Sequence, residues 1–158
     1  VNLRNLPRRP VLATYAAPAA TSLTQATHDA DLVIRGDVVS IMPTAFDGTY
    51  VSVRIARSLK GSASGTVVIH QGGAIEPTPD WAGMFIADSE AGPLMIPGDN
   101  VVLFLHKSGS AYEPQAFTGL YWSTLHGLKA VPGNPFGRSV EAQTVSTFQT
   151  LISAVPVP

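Results

Sequence analysis

The chain has 158 residues, of which 45% are hydrophobic and only 13% are charged, and its formal net charge is −1. This length favours one domain with a single core, and the 14 glycines and 13 prolines favour a turn-rich β domain over a helical bundle. The longest apolar run, residues 101–105, is far shorter than the roughly 20 residues that span a bilayer, which predicts no membrane-spanning helix.

The first 20 residues, VNLRNLPRRPVLATYAAPAA, carry Arg4, Arg8 and Arg9 and no acidic residue. The rest of the chain has seven basic and eleven acidic residues, so a tail of charge +3 precedes a body of charge −4. Tail and body are therefore complementary in charge. The acidic body lacks the basic face that phosphate binding needs, which argues against nucleic acid as a partner.

Residues 22–25 have the pattern of a capping box, which predicts a short helix that ends near residue 30. Alternation of apolar and polar residues, or short apolar runs, then predict five or six strands. We predict strands at residues 31–41, with a bulge at Gly36, and at 49–59, 66–70, 101–105, about 112–117 and 119–131.

Residues 74–98 contain Pro77, Pro79, Pro93 and Pro97, so we expect an irregular excursion there rather than a strand. Long excursions of this kind are usually functional or cover one end of a barrel. At the other end of the chain, a helix is predicted behind a Ser139 cap. Its apolar positions follow helical spacing and are Val145, Phe148, Leu151, Ile152 and Val155.

These elements predict a mainly β fold, a small five- to six-stranded OB-like barrel with a short N-terminal helix and a C-terminal helix. Residues 1–20 form an extended Pro/Ala-rich tail, and residues 21–158 form the single domain. The segments ADLVIRGDVVSI, TYVSVRIARSLKG, TVVIHQGG and PGDNVVLFLHKSGSAY resemble secreted bacterial domains related to the netrin-module and metalloproteinase-inhibitor group of OB-type barrels. The resemblance covers about residues 22–130. The chain has no cysteine, so the zinc-chelating N-terminal cysteine of the animal inhibitors has no counterpart.

No motif of the sequence predicts an enzyme, a cofactor or a metal site. The four histidines lack the spacing of a zinc site, although His70 and His106 lie at the ends of neighbouring strands and a metal pair there is the alternative. The string GSASG has Ala63 where a nucleophile elbow needs serine. Glu76, Asp80, Asp88 and Glu90 predict a solvated acidic loop, with calcium binding or carboxylate catalysis as alternatives.

Three aromatic residues, Trp81, Tyr121 and Trp122, are candidates for stacking on sugars or bases. Tyr121 and Trp122 are consecutive in a predicted strand, so their side chains point to opposite faces and one of them belongs to the core.

The tail gives the best indication of function. It contains too little apolar surface to fold alone, but an extended segment can add a strand to the edge of a neighbouring subunit. We therefore predict a secreted or cell-surface, non-enzymatic subunit whose partner is a second copy of itself, associating head to tail as a filament. The non-Met start and the low charge favour secretion. The predicted interaction residues are Leu6, Arg8, Arg9, Val11, Leu12, Ala13 and Tyr15 on the donated segment and Tyr112 and Phe117 on the accepting edge.

The alternative is a secreted OB- or netrin-like module that binds another protein, or inhibits a protease, through residues 74–98. In that case the tail folds back onto its own barrel or serves as a linker.

Overall fold

The computed structural model describes residues 2–11, 19–45, 47–89 and 91–157, and the fold is mainly β, as predicted. The strands are β1 (Arg8–Val11), β2 (Leu32–Pro43), β3 (Thr49–Lys60), β4 (Thr66–Gln71), β5 (Ala74–Pro77), β6 (Met84–Ser89), β7 (Asn100–Ser108), β8 (Ala111–Pro114), β9 (Leu120–Thr124) and β10 (Gly127–Ala130). The helices are α1 (Leu23–Asp29), α2 (Gly137–Glu141) and α3 (Val145–Ser153), and a 3-10 turn covers Leu3–Asn5. Within these described ranges, no helix is long and apolar enough to cross a membrane.

Five strands close the barrel. β2, β3 and β4 pair in antiparallel order, β4 pairs with β8 in parallel through Ile69 and Tyr112, and β7 pairs with both β8 and β2. A five-stranded barrel of this kind is the OB-type architecture, so the predicted fold is confirmed. Each of these five described strands is therefore paired on both of its sides.

The predicted bulge at Gly36 is confirmed. The register between β2 and β3 shifts between Arg35 and Gly36, which bends the long β2 strand around the barrel. A Cβ atom at Gly36 would lie 2.5 Å from the Arg54 carbonyl oxygen, so only glycine lets β3 approach this closely.

The core has two layers separated by β7, whose residues 101–105 are all completely buried, as the apolar run predicts. Alternate side chains of β7 point into the barrel, where they join residues of β2, β3 and β4. The intervening side chains, Val102 and Phe104, face outward and are covered by α1, α2 and α3. The largest side chains of this outer layer are Phe104, Tyr121, Phe148 and Ile152.

The excursion predicted over residues 74–98 is wrong in part, because it contains a β-hairpin. Strands β5 and β6 pair there, and β1 joins the other edge of β6 in parallel, which gives a three-stranded sheet. The prolines permit this because Pro77 is the last residue of β5 and Pro79 lies in the turn, so neither interrupts the ladder.

The ends of the domain also differ from prediction. Residues 119–131 form two strands, β9 and β10, because a turn with Gly127 at φ +108° reverses the chain. The predicted Ser139 cap lies inside α2. Helix α3 begins instead behind Thr144, whose hydroxyl oxygen accepts a hydrogen bond from the Thr147 amide at 3.1 Å. At the other end of the chain, Ser22 caps α1 as predicted.

Candidate functional site

Residues 2–11, here called the N-terminal segment, lie on the β-hairpin of the same chain. β1 runs parallel to β6 with Arg8 opposite Ile86 and Val11 opposite Ser89. The Ile86 amide also donates a hydrogen bond to the Pro7 carbonyl oxygen at 2.8 Å. The segment therefore covers an edge of β6 that would otherwise present unpaired backbone groups.

Arg8 is the main polar anchor of the N-terminal segment. Its guanidinium donates to Asp88 Oδ1 at 2.8 Å and to the Leu94 carbonyl oxygen at 3.1 and 3.2 Å. The same carboxylate oxygen accepts a hydrogen bond from the Leu94 amide at 2.9 Å. Because the Asp88 side chain is only 14% exposed, this ion pair is better shielded from water than most surface pairs.

Arg4 makes a second, more exposed contact with the turn that precedes β7. Its Nη2 atom donates to Asp99 Oδ1 at 3.1 Å and to the Pro97 carbonyl oxygen at 3.3 Å. Gly98 has φ +93°, and a Cβ atom there would lie 2.9 Å from Arg4 Nη2. A glycine therefore suits this turn both for its backbone conformation and for the approach of the guanidinium.

Arg9 makes a cation–π contact with Phe85, since its guanidinium carbon lies 4.7 Å from the centre of the ring. Leu3 and Leu6 pack partly buried against the barrel core. The predicted charge complementarity is thus realised within one chain, since Arg4 and Arg8 each pair with an acid of the body.

The predicted interaction residues fall into three groups. Leu6, Arg8 and Arg9 lie in the described N-terminal segment, and Val11 is the last residue of β1. Leu12, Ala13 and Tyr15 lie outside the described residues. Tyr112 and Phe117 lie in β8 and just after it.

The accepting edge lies elsewhere than predicted. β8 pairs with β4 on one side and β7 on the other, so Tyr112 belongs to the barrel closure and not to an open edge. The strand of the N-terminal segment pairs with β6 instead. Phe117 nevertheless comes near this strand, because it lines a groove together with Pro10.

A wider groove of about 710 Å³ lies between the N-terminal segment and the β9–β10 hairpin. Arg4 and Arg8 line it from the segment, and Trp122, Leu125 and Lys129 line it from the hairpin. Its volume lies within the range of about 300 to 1,000 Å³ that is usual for ligand pockets. The groove thus combines an apolar wall with charged side chains of both signs, since Asp88 and Asp99 line it beside their arginine partners.

The tip of the β5–β6 hairpin, residues 78–83, presents Trp81 to solvent. The Trp81 side chain is 80% exposed, and its backbone adopts φ +59°, which is unusual for a bulky residue. The conformation is held by hydrogen bonds. Trp81 N donates to Thr78 O at 2.9 Å, and the Thr78 amide donates to Gly83 O at 2.9 Å.

No family model and no curated protein matches this chain. The function of these surfaces is therefore inferred from their own contacts, exposure and charge.

Tyr121 and Trp122 point to opposite faces of β9, as predicted. Tyr121 is completely buried in the outer core layer, where its hydroxyl accepts a hydrogen bond from Asn134 Nδ2 at 2.9 Å, and burial raises its pKa. Trp122 packs partly buried against the barrel and lines the groove. The three aromatic residues therefore do not form one stacking platform, since one of them is core.

His70 and His106 do not end neighbouring strands as predicted, because β8 lies between β4 and β7, and both histidines instead contact the carboxylate of Glu113 on β8. Glu113 lies 3.3 Å from His70 Nδ1 and 3.5 Å from His106 Nε2, while His70 Nε2 contacts the Asp47 carbonyl oxygen. In the described part of the chain, no group of three or more His, Asp or Glu side chains is arranged to hold a metal ion. This cluster reinforces the barrel closure, because His70 and Glu113 directly follow the paired residues of β4 and β8.

The described acidic residues of the 74–98 region do not converge on one site. Asp88 binds Arg8, whereas Asp80 Oδ1 accepts hydrogen bonds within the hairpin tip, and Glu90 lies outside the described residues. Asp88 and Asp80 thus each stabilise a local contact of the fold and do not form a shared site.

His70 is expected to make stability depend on pH. The hydrogen bond to the Asp47 carbonyl, helped by Glu113 and opposed by desolvation, raises the pKa of His70 above its ordinary 6.5. The stabilisation is therefore fully present below pH 6.5 and is lost as pH rises through the higher folded-state value. We expect His70→Gln to cost about 0.5 to 1 kcal/mol more at pH 5.5 than at pH 9, measured by urea unfolding.

The matched control is His126→Gln, at an exposed histidine in the β9–β10 turn. It should cost equally little at both pH values. Equal losses for His70→Gln at pH 5.5 and pH 9 would show that the His70 contacts do not stabilise the barrel closure.

Proposed function

We propose that this domain is a secreted, non-enzymatic subunit that self-associates by exchanging its N-terminal segment between copies, head to tail as a filament. The observation that carries the proposal is how the segment is held. It adds a complete strand to β6 and makes two arginine ion pairs, yet no described side chain in residues 2–10 is buried. Such a segment can leave its site without opening the barrel core.

Exchange preserves each contact. When the segment of one copy pairs with β6 of the next, Arg8 meets Asp88 and Arg4 meets Asp99 of that neighbour with the geometry seen within one chain. Domain swapping of this kind needs no new interface. Because donor and acceptor are different surfaces, repeated exchange produces an open chain of subunits unless the rotation closes a ring.

Secretion is part of the proposal and is supported by composition. Only 13% of the residues are charged, and the chain is rich in glycine and proline, with 14 and 13 residues. The relation to the netrin-module group is likewise proposed, on the sequence segments that carry the resemblance.

Engineered cysteines test the exchange, because the chain has no cysteine of its own. Arg9 lies opposite Ala87 in the β1–β6 ladder, so Arg9→Cys and Ala87→Cys place two thiols within reach of a disulfide. One copy carries the first substitution and another copy the second, and the two are mixed and oxidised. We expect a covalent dimer on a non-reducing gel, and a ladder of oligomers from the double variant oxidised at high concentration.

A control measures disulfides that form by random collision. It mixes Arg9→Cys with Val68→Cys, because Val68 is 41% exposed on β4 and lies outside the β1–β6 ladder. This mixture should give no dimer. If the mixed Arg9→Cys and Ala87→Cys copies also give none, while the double variant forms only an internal disulfide, the segment stays on its own chain and the proposal fails.

A further inference from the structure

We infer that Trp81 of one copy docks into the 710 Å³ groove beside the N-terminal segment of the next copy. This inference rests on the proposed self-association, but it uses a contact other than strand exchange. Donor and acceptor are two distant surfaces of the same chain, the β5–β6 hairpin tip and the wall of the β9–β10 hairpin.

The donor is an exposed tryptophan on a backbone turn that hydrogen bonds hold in place. Besides the backbone bonds of the tip, Asp80 Oδ1 accepts from Thr78 Oγ1 at 2.5 Å and from the Ala82 amide at 3.1 Å. These bonds hold Trp81 at positive φ, although its side chain is 80% exposed. An exposed tryptophan on a backbone held in this way is typical of a binding anchor, because the backbone loses little conformational entropy when the side chain docks.

The hairpin that carries Trp81 is acidic. Hydrogen bonds from the Thr78 hydroxyl and the Ala82 amide lower the pKa of Asp80 below its ordinary value, and the positive charge of Arg9 adds to this lowering. Glu76 adds a second exposed carboxylate on β5. This charge disfavours an anionic lipid surface or nucleic acid and favours a site that offers an unpaired cation.

The groove has the matching properties. Its apolar wall includes Trp122, with Leu125 fully exposed beside it, and Pro93 and Pro132 extend the apolar lining. Arg4, Arg8 and Lys129 line the same groove. Asp99 and Asp88 line it as well and are paired with Arg4 and Arg8, so the unpaired charge of the described lining is that of Lys129, which can meet an incoming carboxylate.

The contact is intermolecular, since Trp81 is exposed to solvent and does not line the groove of its own chain. An apolar projection that fits a pocket elsewhere on an identical molecule makes a head-to-tail contact and adds subunits in one direction. Trp81 docking thus favours the same open assembly as strand exchange.

The test removes strand exchange first. The Arg9→Cys, Ala87→Cys double variant is oxidised at high dilution and isolated as the internally cross-linked monomer, which locks the N-terminal segment to its own chain. Sedimentation velocity over a concentration series then measures association of this locked protein. We expect Trp81→Ala and Lys129→Glu each to weaken it by about tenfold or more. Met42→Ala, which removes a 62% exposed apolar side chain on β2, should leave it unchanged.

Mixing identifies the two halves of the contact. The Trp81→Ala copy keeps an intact groove and the Lys129→Glu copy keeps Trp81, so an equimolar mixture should form dimers that do not grow further. The inference is overturned if the locked protein stays monomeric, if Trp81→Ala leaves association unchanged, or if the mixture gives no dimer. These outcomes concern Trp81 docking only. Strand exchange is tested separately, by the disulfide between the mixed Arg9→Cys and Ala87→Cys copies.

Discussion

Replacing Phe148 with alanine is expected to lower the free energy of unfolding by about 3 to 5 kcal/mol. The Phe148 ring is completely buried between α3 and the sheet, and its centre lies 5.0 Å from that of Tyr121 and 6.2 Å from that of Phe104. Truncation would leave a cavity in this aromatic cluster, and the surrounding rigid rings could not close it fully. Urea unfolding followed by circular dichroism measures the change.

Leu151→Ala is the matched control on the same helix. The sequence predicts Leu151 as a core residue beside Phe148 and Ile152, but it is 43% exposed because the buried face of α3 is centred on Phe148, Gln149 and Ile152 and Leu151 lies at its edge. Leu151→Ala should lower the free energy of unfolding by no more than about 1 kcal/mol. Similar losses for Phe148→Ala and Leu151→Ala would mean that α3 is attached to the barrel by another face.

The barrel strands could be predicted because each one is specified by the side-chain pattern of its own short segment. Alternation over 49–59, the uniform apolar run 101–105 and the bulge at Gly36 all follow from side-chain period and glycine sterics. The barrel closure could not be predicted, since β4 and β8 meet through one parallel residue pair, Ile69 with Tyr112, far apart in the chain. No local pattern specifies which distant strand completes a sheet.

Prolines account for the missed hairpin. The four prolines in residues 74–98 predict an irregular chain, but their effect depends on where each one lies in a strand ladder. Pro77 is the last residue of β5, and Pro79 lies in the turn between β5 and β6, so the β5–β6 ladder can form. The string TPDWAG, residues 78–83, combines the proline, aspartate and glycine of a turn and could have indicated the hairpin tip.

The candidate site was predicted in part. The excess of arginine in the first 20 residues correctly indicated a segment attracted to the acidic body, and Arg4 and Arg8 pair with Asp99 and Asp88. The acceptor strand was missed because β6 lay inside the region read as irregular. The exposure of Trp81 depends on the hairpin conformation, which composition does not reveal.

Arg8→Ala is expected to destabilise the protein by about 1 to 3 kcal/mol, more than any other arginine of the N-terminal segment. The substitution leaves the Leu94 carbonyl without its guanidinium donor and leaves the shielded Asp88 carboxylate without its counter-ion. Arg4→Ala is the control, because the Arg4 side chain is 53% exposed and its pair with Asp99 should contribute no more than about 1 kcal/mol. Thermal and urea unfolding of both variants give the comparison.

Arg8→Ala also separates the rate of strand exchange from its equilibrium. Because Arg8 meets Asp88 equally within one chain and between copies, Arg8→Ala removes the same contact from both states. The fraction of exchanged molecules at equilibrium should therefore change little, whereas the segment should detach faster and cross-linking of the mixed cysteine copies should speed up. An unchanged cross-linking rate together with unchanged stability would show that the Arg8 contact does not hold the segment, and the N-terminal strand would then depend on its backbone pairing with β6.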